Sequence, residues 1–482
     1  MTSSLPKLAV AAISTLALAG CVVGPDYQGP PHPAPLAEKA PAFHRAGLAV
    51  TAPSPPPAEW WTALNDAELN RLIQAALAGS PDLHVAEARL RQSRALLTQQ
   101  QRNKLPSASA SLGVLAAHVP GGFLPGASST DVTLYNAGFD ATWEVDLFGG
   151  KQRAVESAAA QAGAVQANLE DARVSLAAEV ARTYVELRNQ QQRRALAEQS
   201  VALEARTVDL SSQRNGRGVE SSLDLERLKA QLEATRETLI PLQSDIEGSL
   251  DRLAVLTGRE PGTLDTELSA PAAVPDLPAA VPVGDPADLL RRRPDIRAAE
   301  RKLAAQNAVI GERTADLFPK LNLIGLLGWG STDISRLFDG TTGLAAPVLQ
   351  WNALDFGRGR ARIDQAKAGR DEAAAQYEST VLTALGEVET ALARLGHARQ
   401  DVIAQARVRA SADRAAVLMR QRQSAGVASV VDVIDTERTR LDAEQNLLVA
   451  KAALTLDYIA LQKSLGLGWG PAEAPTAAPA AG

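Results

Sequence analysis

Small and apolar residues recur at alternating steps of three and four along two long stretches of the chain. This spacing is that of a coiled-coil seam. The opposite faces are rich in Gln, Arg, Glu and Asp, so each helix is expected to pack beside its neighbours and also to border water. The seam residues are Val155, Ala158, Ala162, Val165, Leu169, Ala172, Leu176, Val180, Thr183 and Leu187 in the first stretch, and Ile363, Ala366, Ala373, Tyr377, Ala384, Val388, Ala391, Leu395, Ala398 and Val402 in the second.

Each seam helix can continue to a glycine, Gly218 or Gly426. That gives on the order of 65 residues, or ~100 Å at the rise of an α-helix. A globular domain has no room for such helices, which predicts a mainly α fold built on an elongated plan. The sequence also predicts shorter helices bounded by prolines at 81–105 and 294–318, and return helices over 222–256 and 430–465.

Alternation of small and apolar residues with polar ones predicts two strands after each proline-bounded helix. Ten of the 18 aromatic residues lie in residues 107–148 and 318–356, which hold these strands. Aromatic girdles mark the places where a β-barrel crosses the membrane interfaces. A soluble β-layer with an aromatic core is the alternative. The predicted strands are Ser107–Leu115, Val132–Trp143, Leu321–Trp329 and Leu344–Trp351.

The chain is a tandem duplication. Gly218, Val219 and Ser221 recur 208 positions later as Gly426, Val427 and Ser429. The repeats, the N-terminal segment and the proline-rich stretches together predict the following organisation: a lipoprotein signal peptide at 1–20, a lipidated proline-rich tether at 21–58, the first repeat at 59–258, a proline-rich segment between the repeats at 259–287, the second repeat at 288–466 and a disordered tail at 467–482.

The N-terminus carries a targeting segment. A charged start is followed by an apolar run too short to span a bilayer, and then by Leu18-Ala19-Gly20-Cys21, which resembles a bacterial lipobox. That resemblance implies that Cys21 is lipidated and becomes the first residue of the mature chain. Val22, in place of aspartate, favours the outer membrane. Ordinary cleavage, which would leave a free thiol at Cys21, is the alternative.

Composition and charge speak against several classes of function. The net charge of −6 argues against nucleic acid as a partner, because nucleic-acid binding normally needs a basic patch. A single cysteine and five scattered histidines offer no disulfide and no metal-ligand spacing. The pairs Gly216/Gly218 and Gly357/Gly359 lack the further glycines of a phosphate loop. We therefore expect no catalytic residues, no metal site and no cofactor.

The duplicated repeats, the strand pairs, the Trp60-Trp61 pair and the glycine turns together resemble the TolC family. With the lipobox, they resemble more narrowly the lipoprotein outer-membrane components of RND tripartite efflux pumps. The resemblance implies a homotrimer in which each protomer gives four strands to a shared 12-stranded β-barrel and its helices to a periplasmic α-barrel. It also implies a periplasmic adaptor (membrane fusion) protein, an inner-membrane RND transporter and outer-membrane lipid as partners.

The two turns that follow the long helices have a structural interpretation. Gly218 and Gly426 are expected to end the incoming helices in a left-handed conformation. Ser221 with Asp224, and Ser429 with Asp432, have the spacing of capping boxes. These residues are explained by helix ends alone.

The repeat fails at Asp435, which falls opposite Arg227. In the family, a ring of aspartates and an apolar ring one turn earlier close the periplasmic end, and the matching residues here are Asp435 and Val431. The candidates for ion pairs that hold the gate closed are Arg227, Arg438 and Arg440. The resemblance also implies that Gly218, Val219, Gly426 and Val427 contact the adaptor. A solvated charge on a helix face is the alternative for Asp435.

The sequence thus predicts a passive exit duct of a tripartite efflux pump, gated at the periplasmic helix tips. A lipid-anchored periplasmic coiled-coil adaptor or scaffold would share the lipobox and the helical hairpins, but it would not need duplicated strands that hold most of the aromatic residues. A type I secretion duct would share the whole fold. A duct lined by polar side chains does not identify its cargo.

Overall fold

The computed structural model of the chain describes residues 22–49, 51–52, 54–120 and 129–470. The predicted signal peptide, Cys21 and residues 471–482 of the predicted tail lie outside these described residues. The helices within them are α1 (Pro35–Lys39), α2 (Ala67–Gly79), α3 (Pro81–Arg102), α4 (Gly150–Gly216), α5 (Ser222–Glu237), α6 (Leu239–Leu256), α7 (Pro286–Arg292), α8 (Pro294–Ala315), α9 (Arg358–Ser424) and α10 (Val430–Ser464). The strands are β1 (Thr51–Ala52), β2 (Ser107–Val119), β3 (Thr130–Val145), β4 (Val281–Pro282), β5 (Lys320–Ser331) and β6 (Thr341–Gln350).

Contacts within the chain divide it into two units, and each unit draws on both repeats. Of the described residues, 22–31, 89–120, 129–166 and 298–378 form the strand unit. The described residues within 32–88, 167–297 and 379–470 form the tip unit. The boundaries predicted from the repeats follow the order of the chain, whereas these units follow its packing.

The strand unit is built on a four-stranded antiparallel sheet with the order β2-β3-β5-β6. Ser107 pairs with Thr142 between β2 and β3, and Val145 pairs with Leu321 between β3 and β5. The second strand of one repeat therefore lies beside the first strand of the other. The outer edges of β2 and β6 have no strand partner within the described residues. The four predicted strands are confirmed, and each of them is longer than predicted.

Matching tryptophans tie the ends of the strands to the preceding helices. The indole N–H of Trp143 donates to the carbonyl of Lys104 at 2.9 Å, and that of Trp351 donates to the carbonyl of Leu317 at 2.9 Å. Phe148 stacks on Phe318 with ring centroids 4.5 Å apart. The duplication is therefore visible in side-chain contacts as well as in the order of elements.

Residues 22–26, at the start of the predicted tether, pack against the strand unit. Arg153, only 4% exposed, donates to the carbonyls of Val23 and Gly24 and pairs with Asp26 at 2.7 Å. A Cβ on Gly24 would come within 2.4 Å of the Cα of Gly311. This segment fits closely because glycine removes side-chain bulk and a buried arginine supplies donors for the exposed carbonyls.

The core of the tip unit lies around Trp60 and Trp61, which are fully buried. Their rings meet edge to face at 5.7 Å, and the hydroxyl of Tyr458 donates to the carbonyl of Trp60 at 3.2 Å. The predicted tail begins with packed residues, because Leu467 is 2% exposed. The expectation of disorder from residue 467 onward is therefore wrong for residues 467–470.

The first return helix is also interrupted, where one continuous helix had been expected. It consists of α5 and α6 with Thr238 between them. Pro241 lacks the N–H that would bond to the carbonyl of Glu237, which accounts for the break. The second return helix, α10, has no proline and runs unbroken for 35 residues. No helix among the described residues is long and apolar enough to cross a membrane.

Candidate gate at the helix tips

The chain turns between α4 and α5 at the first tip, residues 214–227, and between α9 and α10 at the second tip, residues 422–440. Both turns are Schellman motifs. The Val219 amide donates to the carbonyl of Arg214 at 3.1 Å, and the Val427 amide donates to that of Arg422 at 3.0 Å. The backbone paths of the two tips are therefore closely similar.

A glycine with positive φ is essential to each turn. The φ angle is 72° at Gly218 and 75° at Gly426, which is the left-handed region that side chains disfavour. A Cβ at either glycine would meet no atom within 4 Å, so backbone conformation alone selects glycine there. Val219 and Val427 follow these glycines and are 65% and 63% exposed.

The caps of the two return helices differ. At the second tip, Ser429 and Asp432 form a full capping box: the Ser429 hydroxyl accepts from the Asp432 amide at 3.1 Å, and Asp432 accepts from the Ser429 amide at 2.8 Å. Hydrogen bonds from the backbone and side chain of Ser429 lower the pKa of Asp432. At the first tip only the serine half is present, and Asp224 lies 3.7 Å from Arg227 instead. The prediction of a capping box is confirmed for the second tip and wrong for the first.

The first tip has its own polar network, centred on Glu220. The carboxylate accepts from the buried Ser211 hydroxyl at 2.9 Å and pairs with Arg214 at 3.2 Å. The Asn215 amide donates to the Glu220 carbonyl at 2.9 Å and to the Ser222 hydroxyl at 3.2 Å. These bonds tie the end of α4 to the start of α5.

The second tip lacks this network but has a ladder of ion pairs further along the hairpin. Glu437, 13% exposed, pairs with Arg420 of α9 at 3.3 Å and with Arg440 at 2.7 Å. Glu444 pairs with Arg440 at 2.9 Å and with Arg409 of α9 at 3.4 Å. Arg440 therefore belongs to contacts within the hairpin, and its partners are glutamates rather than Asp435.

The three remaining candidates, Val431, Asp435 and Arg438, lie together on α10. They line one small cavity of about 70 Å³ with Ile434. The Asp435 carboxylate is 68% exposed and lies 3.2 Å from the Arg438 guanidinium. The structure thus brings Arg438 to Asp435, whereas Arg227 pairs with Asp224.

Sequence reasoning missed one charged residue beside these candidates, Glu204 of α4. It lines the same cavity, is only 8% exposed, and its Oε2 has no hydrogen-bond partner among the described residues. A signal was available, because continuing the seam from Leu187 in the same alternating steps places Glu204 on the packed face. A carboxylate at a seam position is costly unless it is paired.

The fold and the paired helix tips are those of an outer-membrane efflux channel. A model of the Outer membrane efflux protein family matches residues 72–259 and 286–467, which is most of the chain. The chain therefore belongs to this family, and its place is the outer membrane.

Curated relatives extend over nearly the whole length. Outer membrane protein OprJ of Pseudomonas aeruginosa is 29% identical over 468 residues, which cover 96% of each chain. Toluene efflux pump outer membrane protein TtgC of Pseudomonas putida is 30% identical over 474 residues, which cover 97% of this chain and 96% of that one. Nodulation protein T of Rhizobium leguminosarum bv. trifolii is 29% identical, with 95% of this chain and 96% of the relative covered.

Solved structures of outer-membrane channels superpose on most of the chain. The outer-membrane channel OprN superposes with a TM-score of 0.83 at 35% identity, covering 94% of this chain and all of that one. The CmeC outer membrane channel of Campylobacter jejuni superposes with a TM-score of 0.84 at 22% identity, covering 93% and 95%. The second match carries the fold alone. These findings favour an efflux channel over the periplasmic adaptor or scaffold considered as the alternative.

Proposed function

We propose that this protein is the exit duct of a tripartite efflux pump and works as a homotrimer. Each protomer gives its four strands to a 12-stranded β-barrel in the outer membrane and its helices to a periplasmic α-barrel. A periplasmic adaptor and an inner-membrane RND transporter supply substrate and energy. The duct itself conducts passively.

The observation that carries the proposal is the four-stranded sheet with two open edges. Open strand edges are not tolerated in hydrocarbon, because each unpaired backbone group would lose its hydrogen bond. Four strands are too few to close a barrel, whereas three copies give 12, an even number within the range of outer-membrane barrels. Exposed leucines on this sheet, such as Leu112 at 82% and Leu349 at 65%, suit contact with lipid or with a neighbouring protomer.

The gate is assigned to Val431 and Asp435 on α10. Three copies of Asp435 around a threefold axis repel one another, and three copies of Val431 form an apolar ring one turn nearer the tip. The exposure of Asp435 supports a role outside the protomer's own core. Arg438 compensates the Asp435 charge within the protomer, which lets the three carboxylates approach more closely.

The adaptor and the outer-membrane lipid are assigned to two different parts of the chain, the helix tips and the N-terminal segment. The exposed Val219 and Val427, with the glycines before them, form the surface proposed to receive the adaptor. Lipidation of Cys21 is proposed to hold the chain at the outer membrane, and the tightly held segment 22–26 follows it directly. A type I secretion duct would use the same fold with a different transporter.

The gate is tested by replacing Asp435 with alanine and recording purified trimers in planar bilayers. Loss of the carboxylate and of its pairing with Arg438 is expected to raise the conductance. Asp224→Ala at the first tip is the matched control, and it is expected to conduct like the native protein. Unchanged conductance of Asp435→Ala would overturn the gate assignment, and an equal rise in both variants would point to general loosening of the tips.

A further inference from the structure

Glu204 is a buried carboxylate, and one of its oxygens has no hydrogen-bond partner among the described residues. It lies on the seam of α4 at 8% exposure, and its Oε2 accepts no hydrogen bond from any described residue. A buried charge is expensive unless a counter-charge or hydrogen bonds compensate it. The expected solution is a cation that reaches Glu204 in another state of the protein.

The cavities around Glu204 show which cation is available. The small cavity of about 70 Å³ adjoins a second one of about 690 Å³, and both are lined by Ser200, Glu204, Gln231 and Arg438. Arg438 is the sole cation that lines the small cavity. Arg193 lines the larger one, but it lies three turns earlier on α4, about 16 Å along the helix axis and beyond side-chain reach.

Arg438 is held only weakly where it stands. Its guanidinium contacts Asp435 at 3.2 Å, and the two side chains are 43% and 68% exposed. Solvent screens such a pair strongly, so it contributes little. The other carboxylates on the larger cavity, Asp245 and Asp442, are exposed to solvent, so their need for a counter-charge is smaller than that of Glu204.

We propose that Glu204 is the second acceptor in an ion-pair switch that positions Arg438, and this inference rests on the proposed gate at Asp435. In the arrangement seen here Arg438 neutralises Asp435, which suits close approach of three protomers. When Arg438 turns through the shared cavity to Glu204, the three Asp435 carboxylates lose their counter-charges and repel one another. Glu204 therefore favours the open state.

The test measures how often single trimers open in planar bilayers. Glu204→Gln keeps the size of the side chain and removes its charge, so it is expected to lower the opening frequency. The coupling between neighbouring groups predicts an effect between about 2-fold and 100-fold. Glu226→Gln is the control, because Glu226 is an exposed carboxylate on α5 that pairs with Lys229.

A double-mutant cycle separates a switch from a merely structural role. In an Arg438→Gln background, Glu204→Gln is expected to change nothing further, since its effect requires the guanidinium. A full effect in that background would mean that Glu204 acts through another partner, such as a solute cation, and would overturn the switch. No effect of Glu204→Gln in the native background would overturn it as well.

The gate is judged separately by Asp435→Asn, recorded in the same bilayers. A changed opening frequency for Asp435→Asn, together with an inert Glu204→Gln, would keep the gate and reject the switch. Unchanged opening for Asp435→Asn would reject the gate assignment itself.

Discussion

At the first tip Glu220 bonds to Ser211 and Arg214, whereas the second tip has Ala428 at the equivalent position and Met419 in place of Ser211. The backbone turns are nearly the same, with φ of 72° and 75° at Gly218 and Gly426. Duplication has therefore preserved the path of the chain, while the side chains that hold it have diverged.

The difference lies in how each tip is secured. The first tip is fastened across the turn by a network that joins α4 to α5. At the second tip, the Ser429–Asp432 capping box stabilises the start of α10 alone. The ion pair that joins α9 to α10 lies farther from the turn, where Glu437 pairs with Arg420. A turn bonded across both helices resists opening more than one capped on one side. This comparison predicts different responses to matched substitutions.

The largest expected effect is that of Glu220→Ala at the first tip. It leaves the buried Ser211 hydroxyl without its acceptor and Arg214 without its partner, which should cost about 1–3 kcal/mol of local stability. Amide hydrogen exchange at residues 215–223, followed by mass spectrometry, should quicken by roughly 5-fold to 100-fold.

Ala428→Glu is the matched control at the second tip. Met419 offers no hydroxyl there, so the new carboxylate can pair only with Arg422, which stands at the position of Arg214, and protection at that tip should rise by less than Glu220→Ala loses. If Ala428→Glu gained as much protection from hydrogen exchange as Glu220→Ala loses, the proposed difference between the tips would be refuted.

Both tips have a glycine with positive φ, and replacing it should destabilise the two turns alike. Gly218→Ala and Gly426→Ala should each cost about 1–2 kcal/mol, because alanine must adopt the left-handed conformation. The two costs should be equal, since neither position has a neighbour that a methyl group would touch. Amide hydrogen exchange at each tip measures these two free-energy costs.

Gly216→Ala is a control, because its effect on stability should be absent or opposite to that of the other two substitutions. Gly216 is the last residue of α4, its φ is not positive, and a Cβ there would meet nothing within 4 Å. Alanine at that position should leave stability unchanged or raise it by up to about 1 kcal/mol. A clear loss on Gly216→Ala would show that substitution near the tip, rather than the sign of φ, causes the damage.

The features that the sequence predicted well are those controlled locally. Gly218 and Gly426 end their helices because few residues other than glycine adopt that φ readily, and Pro81 and Pro294 begin α3 and α8 because proline suits a first turn. The strand pairs could also be predicted, because alternation depends on neighbouring residues. The family resemblance rested on these local signals and is confirmed.

The features that the sequence missed depend on residues far away in the chain. The seam alone places Glu204 on a packed face, but the cavity beside it is lined by α5 and α10, and the segment 22–26 is held by Arg153 and Gly311. Composition did not reveal this packing, since prolines and glycines suit both a packed segment and a free tether. The break at Thr238 was an error of another kind, because Pro241 was visible in the sequence.

The smallest expected effect is that of removing the serine caps. Ser429→Ala and Ser221→Ala should each cost about 0.5–2 kcal/mol, and Ser429→Ala should cost more because it also disturbs Asp432. The pKa of Asp432 is lowered in the fold, so its contribution is present above the unfolded pKa of about 3.9 and is lost as pH falls through the folded value. The excess cost of Ser429→Ala over that of Ser221→Ala should therefore shrink in acid. Amide hydrogen exchange at residues 429–434, corrected for its intrinsic pH dependence, measures this change. An excess that persists below the folded pKa of Asp432, or equal costs at neutral pH, would mean that the reciprocal bond adds nothing to the second cap.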